Sequence, residues 1–173
     1  FADLWAHSMS LGGGGSINET IEKTDTRSDA FTAGLLHDIG RIILAVNVPE
    51  EYRTACELFA AEHISMVDAE TQVFGATHAE VGAYLLGLWG LPNEVVRAVA
   101  FHHDPLAVPG ERFTALTAVH AANGILRKAH LEQDTCDTKL HLDYLSQIGL
   151  IERLPVWQEV FGAQSADPVL AVW

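Results

Sequence analysis

From about Asp29 to Val48 apolar side chains return every three or four positions, with Phe31, Leu35, Ile39, Ile42 and Ile43 on one stripe until Pro49 ends the run. A 3.6-residue period of this kind makes one face of a helix that other helices must cover. The same period governs the rest of the chain. Ser65 opens a helix to about Phe74, and Thr77 with Glu80 has capping-box spacing ahead of VGAYLLGLWGL. Each of those two side chains can satisfy an orphan amide of the first turn. Pro92 and Asn93 start a helix carrying Val95, Val96, Val99 and Ala100, and FHHD at 101–104 occupies its last turn. Pro105 stops it by disfavouring helical geometry at the residue before. A long apolar helix is expected over about 112–131, and two short ones in HLDYLSQIGLIERLPVWQEVF. No segment sustains the strict alternation of a half-buried strand, so the expected fold class is all-α, a compact helical bundle.

One passage breaks the pattern. In SLGGGGSINET, residues 10–20, four consecutive glycines interrupt a helix that Phe1, Leu4, Trp5 and Ser8 begin at helical spacing. Glycines in such a run would cost a helix about 4 kcal/mol relative to alanines. GGGGS at 12–16 is also a common flexible-linker unit. Yet the 30 residues from His7 to His37 suit one helix, a turn and the start of the next, so a native and an engineered origin both stay open. The chain starts without Met and reads as a piece of something longer. Residues 1–131 are expected to form the bundle, and 132–173 a linker, EQDTCDTK, followed by C-terminal helices packing on the same domain.

Composition narrows the function classes. With 173 residues and 49% hydrophobic content, the chain fits one domain that buries about two-thirds of its unfolded surface. A formal charge of −13, from 23 Asp and Glu against 10 Lys and Arg, would repel a phosphate backbone and an anionic membrane surface. No direct nucleic-acid or membrane partner is expected. Cys56 and Cys136 are too few for a disulfide framework and lack zinc-site spacing, which suits a reducing cytoplasm. No apolar run reaches the ~20 residues of a membrane span.

Chemistry concentrates in imidazoles and carboxylates set among the apolar stripes: His7, His37 and Asp38, His78, and His102, His103 and Asp104. These are ligand types for divalent transition metals. Neighbours on a helix diverge by about 100°, so His37 and Asp38 could meet one ion only where a groove lets both lean inward. Each has a plainer reading. His37 and Asp38 could be a buried hydrogen-bonded pair fixing a helix crossing. Cationic His102 and His103 could stabilise a helix C-terminus. His78 could be solvent-exposed at the first position of its helix. His63, His120, His130 and His141 read as surface or boundary residues, and Trp5, Trp89 and Phe101 as core.

LWAHS, GLLHDIGRIIL, THAEVGAYLLGLWGLP and FHHDP, in that order, resemble the HD-domain superfamily of metal-dependent phosphohydrolases, and more closely its HDOD branch, the output domains of bacterial signalling proteins. LDYLSQIGLIERL resembles the end of such a domain, and the likeness runs from Phe1 to about Leu154. It implies an HD-type bundle that is the second half of an HDOD-like domain. It also implies that His7, His37 and Asp38 hold a metal, with His78, His102 and His103 matching the histidines of two-metal members such as the HD-GYP cyclic-di-GMP phosphodiesterases. The family's later aspartate falls at Asn123, in TALTAVHAANGIL, and no GYP element follows FHHDP. The implied cofactor is a divalent ion, Fe, Mn, Zn or Ni, in a degenerate pocket, with no residue assigned a catalytic role. The implied function is a non-catalytic signalling output module, coupled to an upstream receiver or sensor domain or to another signalling protein. The alternatives are a metal-dependent phosphohydrolase acting on a nucleotide or cyclic dinucleotide, and a scaffold that forms a homodimer.

Overall fold

The computed structural model describes residues 27–108, 113–130 and 139–165. His7, Trp5, the glycine run and nearly all of the 132–139 stretch lie outside them. Every regular element among the described residues is helical, as the periodicity requires.

The first stripe is divided. Helix α1 (Arg27–Leu36) and helix α2 (Ile39–Asn47) follow one path that is interrupted at His37 and Asp38, where a single helix over Asp29–Val48 was expected. At Val48 the chain leaves that path by 120° into α3 (Pro49–Glu62). Pro49 therefore ends one helix and starts another. Its missing N–H falls in a first turn, where no intrahelical bond would have formed. Helix α4 (Met66–Phe74) is capped by the Ser65 hydroxyl, which accepts from the Asp68 N–H at 3.0 Å. The α3–α4 pair buries Ala55, Met66 and Ala69 between its helices.

Helix α5 (His78–Leu88) opens with the expected capping box. The Thr77 N–H donates to Glu80 Oε2 at 2.8 Å, and the Glu80 N–H donates to Thr77 Oγ1 at 3.2 Å. Helix α6 (Asn93–Phe101) leads through a 3₁₀ turn (Pro105–Ala107) towards α7 (Ala115–His130). Helix α8 (Leu142–Gln147), a second 3₁₀ turn (Ile151–Arg153) and α9 (Leu154–Ser165) complete the described chain.

Helix α7 is the axis of the main core. Every residue from Ala115 to Leu126 is buried, and its alanines let α1, α6 and α9 approach closely. Trp157 of α9 and Tyr144 and Leu145 of α8 are enclosed with it, and Tyr144 shares a 2.8 Å hydroxyl–hydroxyl hydrogen bond with Thr117. A smaller cluster, Ala83, Leu86 and Val99, joins α5 to α6, with Leu36 and Ile39 packed on it. Phe101 is partly buried against the main core, whereas Trp89, expected inside, is 64% exposed where α5 ends. Its ring lies beyond the last buried turn.

One contact fixes the site. Helices α2 and α5 cross so closely at Gly40 that a Cβ there would stand 1.9 Å from the backbone oxygen of His78. Only glycine fits, because a side-chain carbon does not come within 3.0 Å of a backbone oxygen. Among the described residues, no single helix is long and apolar enough to cross a membrane.

Candidate metal centre

The interruption between α1 and α2 solves the geometric problem of adjacent ligands. Asp38 adopts φ −100°, ψ 12°, the sparsely populated bridge region that active-site residues often occupy. It precedes α2 but makes no side-chain cap bond, so its carboxylate is directed elsewhere. Both His37 and Asp38 thereby point into the same buried space, with His37 Nε2 3.4 Å from Asp38 Oδ2. Arg41, one turn on, holds the other carboxylate oxygen through Nε at 3.2 Å.

Three imidazoles are tied back by their Nδ1 atoms. The ring N–H of His37 donates to the Gly34 carbonyl at 2.8 Å, and that of His102 to the Val99 carbonyl at 2.8 Å. His78 Nδ1 meets Glu70 Oε2 at 2.6 Å. A carbonyl cannot donate, so the proton of His37 and of His102 sits on Nδ1 and the Nε2 lone pair faces inward. This is how metal-ligating histidines are ordinarily fixed in tautomer and orientation. The Nε2 atoms of His78 and His102 lie 3.2 and 3.8 Å from Asp38 Oδ1, and His103 Nε2 lies 3.0 Å from His78 Nε2.

Burial and charge set the protonation of this group. Burial pushes His37 below its ordinary value, against the opposing pull of Asp38. Burial and the neighbouring His103 and His37 push His102 far lower still. Both are neutral and able to donate a lone pair. Burial would raise Asp38, but Arg41, His37 and His78 outweigh it and hold the carboxyl well below its usual range. For His78, burial and Arg41 push down, yet its hydrogen bonds to Asp38 and Glu70 prevail and raise it. The centre is thus one carboxylate ringed by imidazoles, of which His37 and His102 are kept neutral by burial.

These residues fit a transition-metal ion. Ligand atoms of Asp38, His78, His102 and His103 all lie within 4.8 Å of one another. Ligands about 2.1 Å from an ion stand about 3.4 Å apart in a tetrahedron, so small side-chain rotations suffice. His102 Nε2 is buried without a hydrogen-bond partner among the described residues, a lone pair aimed at the centre. Asp38, His78, His102 and His103 would hold the ion, with His37 beside them.

The other sequence-marked residues are placed as follows. Asn123 is buried on α7 and lines a small pocket with His102, His103, His120, Gly124 and Lys139. At about 10 Å³, that pocket has room for one water molecule. His78 is not solvent-exposed: it begins α5 but is fully buried against Glu70. His102 cannot serve as a cation at a helix end, because burial keeps it neutral. Asp104 is exposed and is not among the gathered ligand atoms.

Two participants were not singled out from the sequence. Glu70 falls in the helix expected from Ser65 to Phe74 with no role assigned to it, and His120 reads as a surface or boundary residue; both are buried. The His120 ring N–H donates to the His102 carbonyl at 2.8 Å, and its Nε2 accepts from the His141 N–H at 3.0 Å. The sequence offered a signal only for His120, which lies one helical turn before Asn123 and so shares its face.

The model of the HDOD domain family matches residues 1–105. The chain belongs to the HDOD family. An uncharacterised protein of Treponema pallidum is 31% identical over 100 residues, 58% of this HDOD chain and 20% of the relative. Ribonuclease Y of Thermus thermophilus is 28% identical over 150 residues, 83% of this chain and 20% of that enzyme. The HDOD chain thus spans about a fifth of the length of these curated relatives. Among solved structures, an HDOD domain protein of Geobacter sulfurreducens superposes with a TM-score of 0.75 at 24% identity, covering 93% of this chain and 57% of that one. A provisionally named phosphohydrolase of Shewanella amazonensis gives 0.71 at 21% identity, covering 94% and 59%. A provisionally named signal transduction protein of Marinobacter aquaeolei gives 0.75 at 22%, covering 92% and 35%. At these identities the structures share the HDOD fold.

Proposed function

We propose that this chain is a bacterial signal-transduction output module that holds a divalent metal, Fe, Mn, Zn or Ni, in its HD pocket and acts by contacting a partner rather than by turnover. The observation that carries the metal is the trio of imidazoles tied back at Nδ1, with their Nε2 atoms gathered around Asp38. One feature supports a silent centre. Asn123 stands where the family resemblance implies an anionic ligand, and a neutral amide holds a transition metal weakly. The partner would be an upstream receiver or sensor domain or a separate signalling protein, in a reducing cytoplasm that leaves Cys56 as a thiol.

A second reading, a metal-dependent phosphohydrolase, is favoured by the near-complete ligand set and by the names of two relatives, Ribonuclease Y and the Shewanella phosphohydrolase. A bound ion would supply Lewis acidity and lower the pKa of a water. The chain's part is to exclude bulk solvent, keep His37 and His102 neutral, and hold Asp38 ionised through Arg41.

Elemental analysis of protein purified without chelator, followed by assay on cyclic-di-GMP, cyclic-di-AMP and nucleoside phosphates, separates the readings. The expected result is near-stoichiometric metal, lost in His102→Ala, with turnover at background. Turnover that rises with metal occupancy would establish the hydrolase instead, and metal-free wild type would refute both.

A further inference from the structure

Among the described residues, the one buried carboxylate near the centre with no place in the ligand set is Glu70. It projects from α4, is fully buried, and uses one oxygen twice: Oε2 accepts from the His78 backbone N–H at 2.8 Å and from its ring Nδ1 at 2.6 Å. Oε1 has no hydrogen-bond partner among the described residues. Such an arrangement is costly, since a buried carboxylate must be fully compensated or it destabilises the fold. Helix capping does not account for it. The start of α5 already has a complete capping box from Thr77 and Glu80.

What Glu70 adds is control of one ring. By holding Nδ1–H it fixes the His78 tautomer, aims Nε2 at Asp38 and His103, and passes negative charge to the imidazole, making it a stronger donor. The double contact, to backbone and ring of the same residue, also locks where α5 begins relative to α4. We infer that Glu70 is a positioning residue that orients His78 for metal binding and sets the affinity of the centre, an inference that rests on the pocket holding a metal.

The test is a titration of chelator-treated protein with Co²⁺, read by visible ligand-field bands, with thermal melting of the metal-free forms alongside. Wild type should take up Co²⁺ with a defined spectrum. Glu70→Gln keeps the volume and one acceptor but loses the charge and the second acceptor, and should bind 10–100-fold more weakly with shifted bands. Glu80→Ala is the control: it breaks the capping box at the same helix start, and should lower the melting temperature without altering Co²⁺ affinity. Wild-type affinity and spectrum in Glu70→Gln would overturn the inference and leave the metal site standing. So would equal weakening in Glu80→Ala, which would assign the effect to helix stability. Failure of wild type to bind Co²⁺ would remove the metal site and this role with it.

Discussion

A histidine in this chain takes its character from which ring nitrogen is committed, and His120 is committed at both. With Nδ1–H donating to the His102 carbonyl and Nε2 accepting from the His141 N–H, only the neutral ring satisfies its partners. Burial lowers its pKa from 6.5 to about 4. Because the folded value lies below the unfolded one, protons favour the unfolded chain. The stability held by neutral His120 is complete above about pH 6.5 and drains away as the pH falls towards 4. The full difference amounts to about 3 kcal/mol. His37 and His102 shift in the same direction, so the measurement must be a difference. Urea unfolding of wild type and His120→Gln between pH 7 and pH 4 should show a shallower pH slope in the variant. Parallel slopes would deny His120 this part. Residue types alone revealed the histidines and Asp38, because imidazoles inside apolar stripes are conspicuous. They did not reveal Glu70 or the burial of His120, since either acidic residue in MVDAETQVF or a His among alanines looks the same whether a helix turns it in or out.

At the scale of the element, helix starts were legible wherever a side chain caps them, as at Ser65 and at Thr77 with Glu80. The division at His37 and Asp38 was not, because the apolar stripe continues through it and the reason for the break is tertiary: Asp38 turns to imidazoles on α5 and at the end of α6. Helix α3 was missed because Pro49 serves as both stop and start, and because Glu50, Glu51, Arg53 and Glu57 make most of the helix solvent-facing. Glycines report the packing of these elements in a graded way. A Cβ on Gly40 meets the His78 carbonyl at 1.9 Å, one on Gly82 meets Ile39 Cγ2 at 3.1 Å and Gly40 N at 3.2 Å, and one on Gly87 meets nothing within 4 Å. Gly40→Ala should therefore cost about 3 kcal/mol or more and disturb the His78–Asp38 distance, since backbone must move. Gly82→Ala should cost about 1 kcal/mol. Gly87→Ala, in open helix, should stabilise by about 0.5–1 kcal/mol. Chemical denaturation at constant m-value gives the order directly, and Gly40→Ala ranking above either of the others would mean that α2 and α5 do not cross here.

For the whole molecule, the ligands matter because of where they come from. Asp38 belongs to the α1–α2 break, His78 to the start of α5, and His102 and His103 to the turn after α6, so an ion would bind three separate stretches that converge only when the bundle is folded. A ligand of that kind stabilises by mass action, about 4 kcal/mol at a thousandfold excess over Kd. For a chain of this length each kcal/mol is worth about 2–4 °C in Tm, giving a rise of about 8–16 °C. The net charge of −13 complicates the reading, because any added cation screens self-repulsion in so acidic a protein and raises Tm unspecifically. His102→Ala separates the two effects, since it leaves the net charge at −13 and removes a donor from the centre. Calorimetry of chelator-treated protein, with Mn²⁺ or Zn²⁺ added at matched ionic strength, should raise Tm strongly in wild type and only slightly in the variant. Equal shifts in both would mean that the ion acts on surface charge alone, and that the imidazoles around Asp38 are a buried polar network binding no metal.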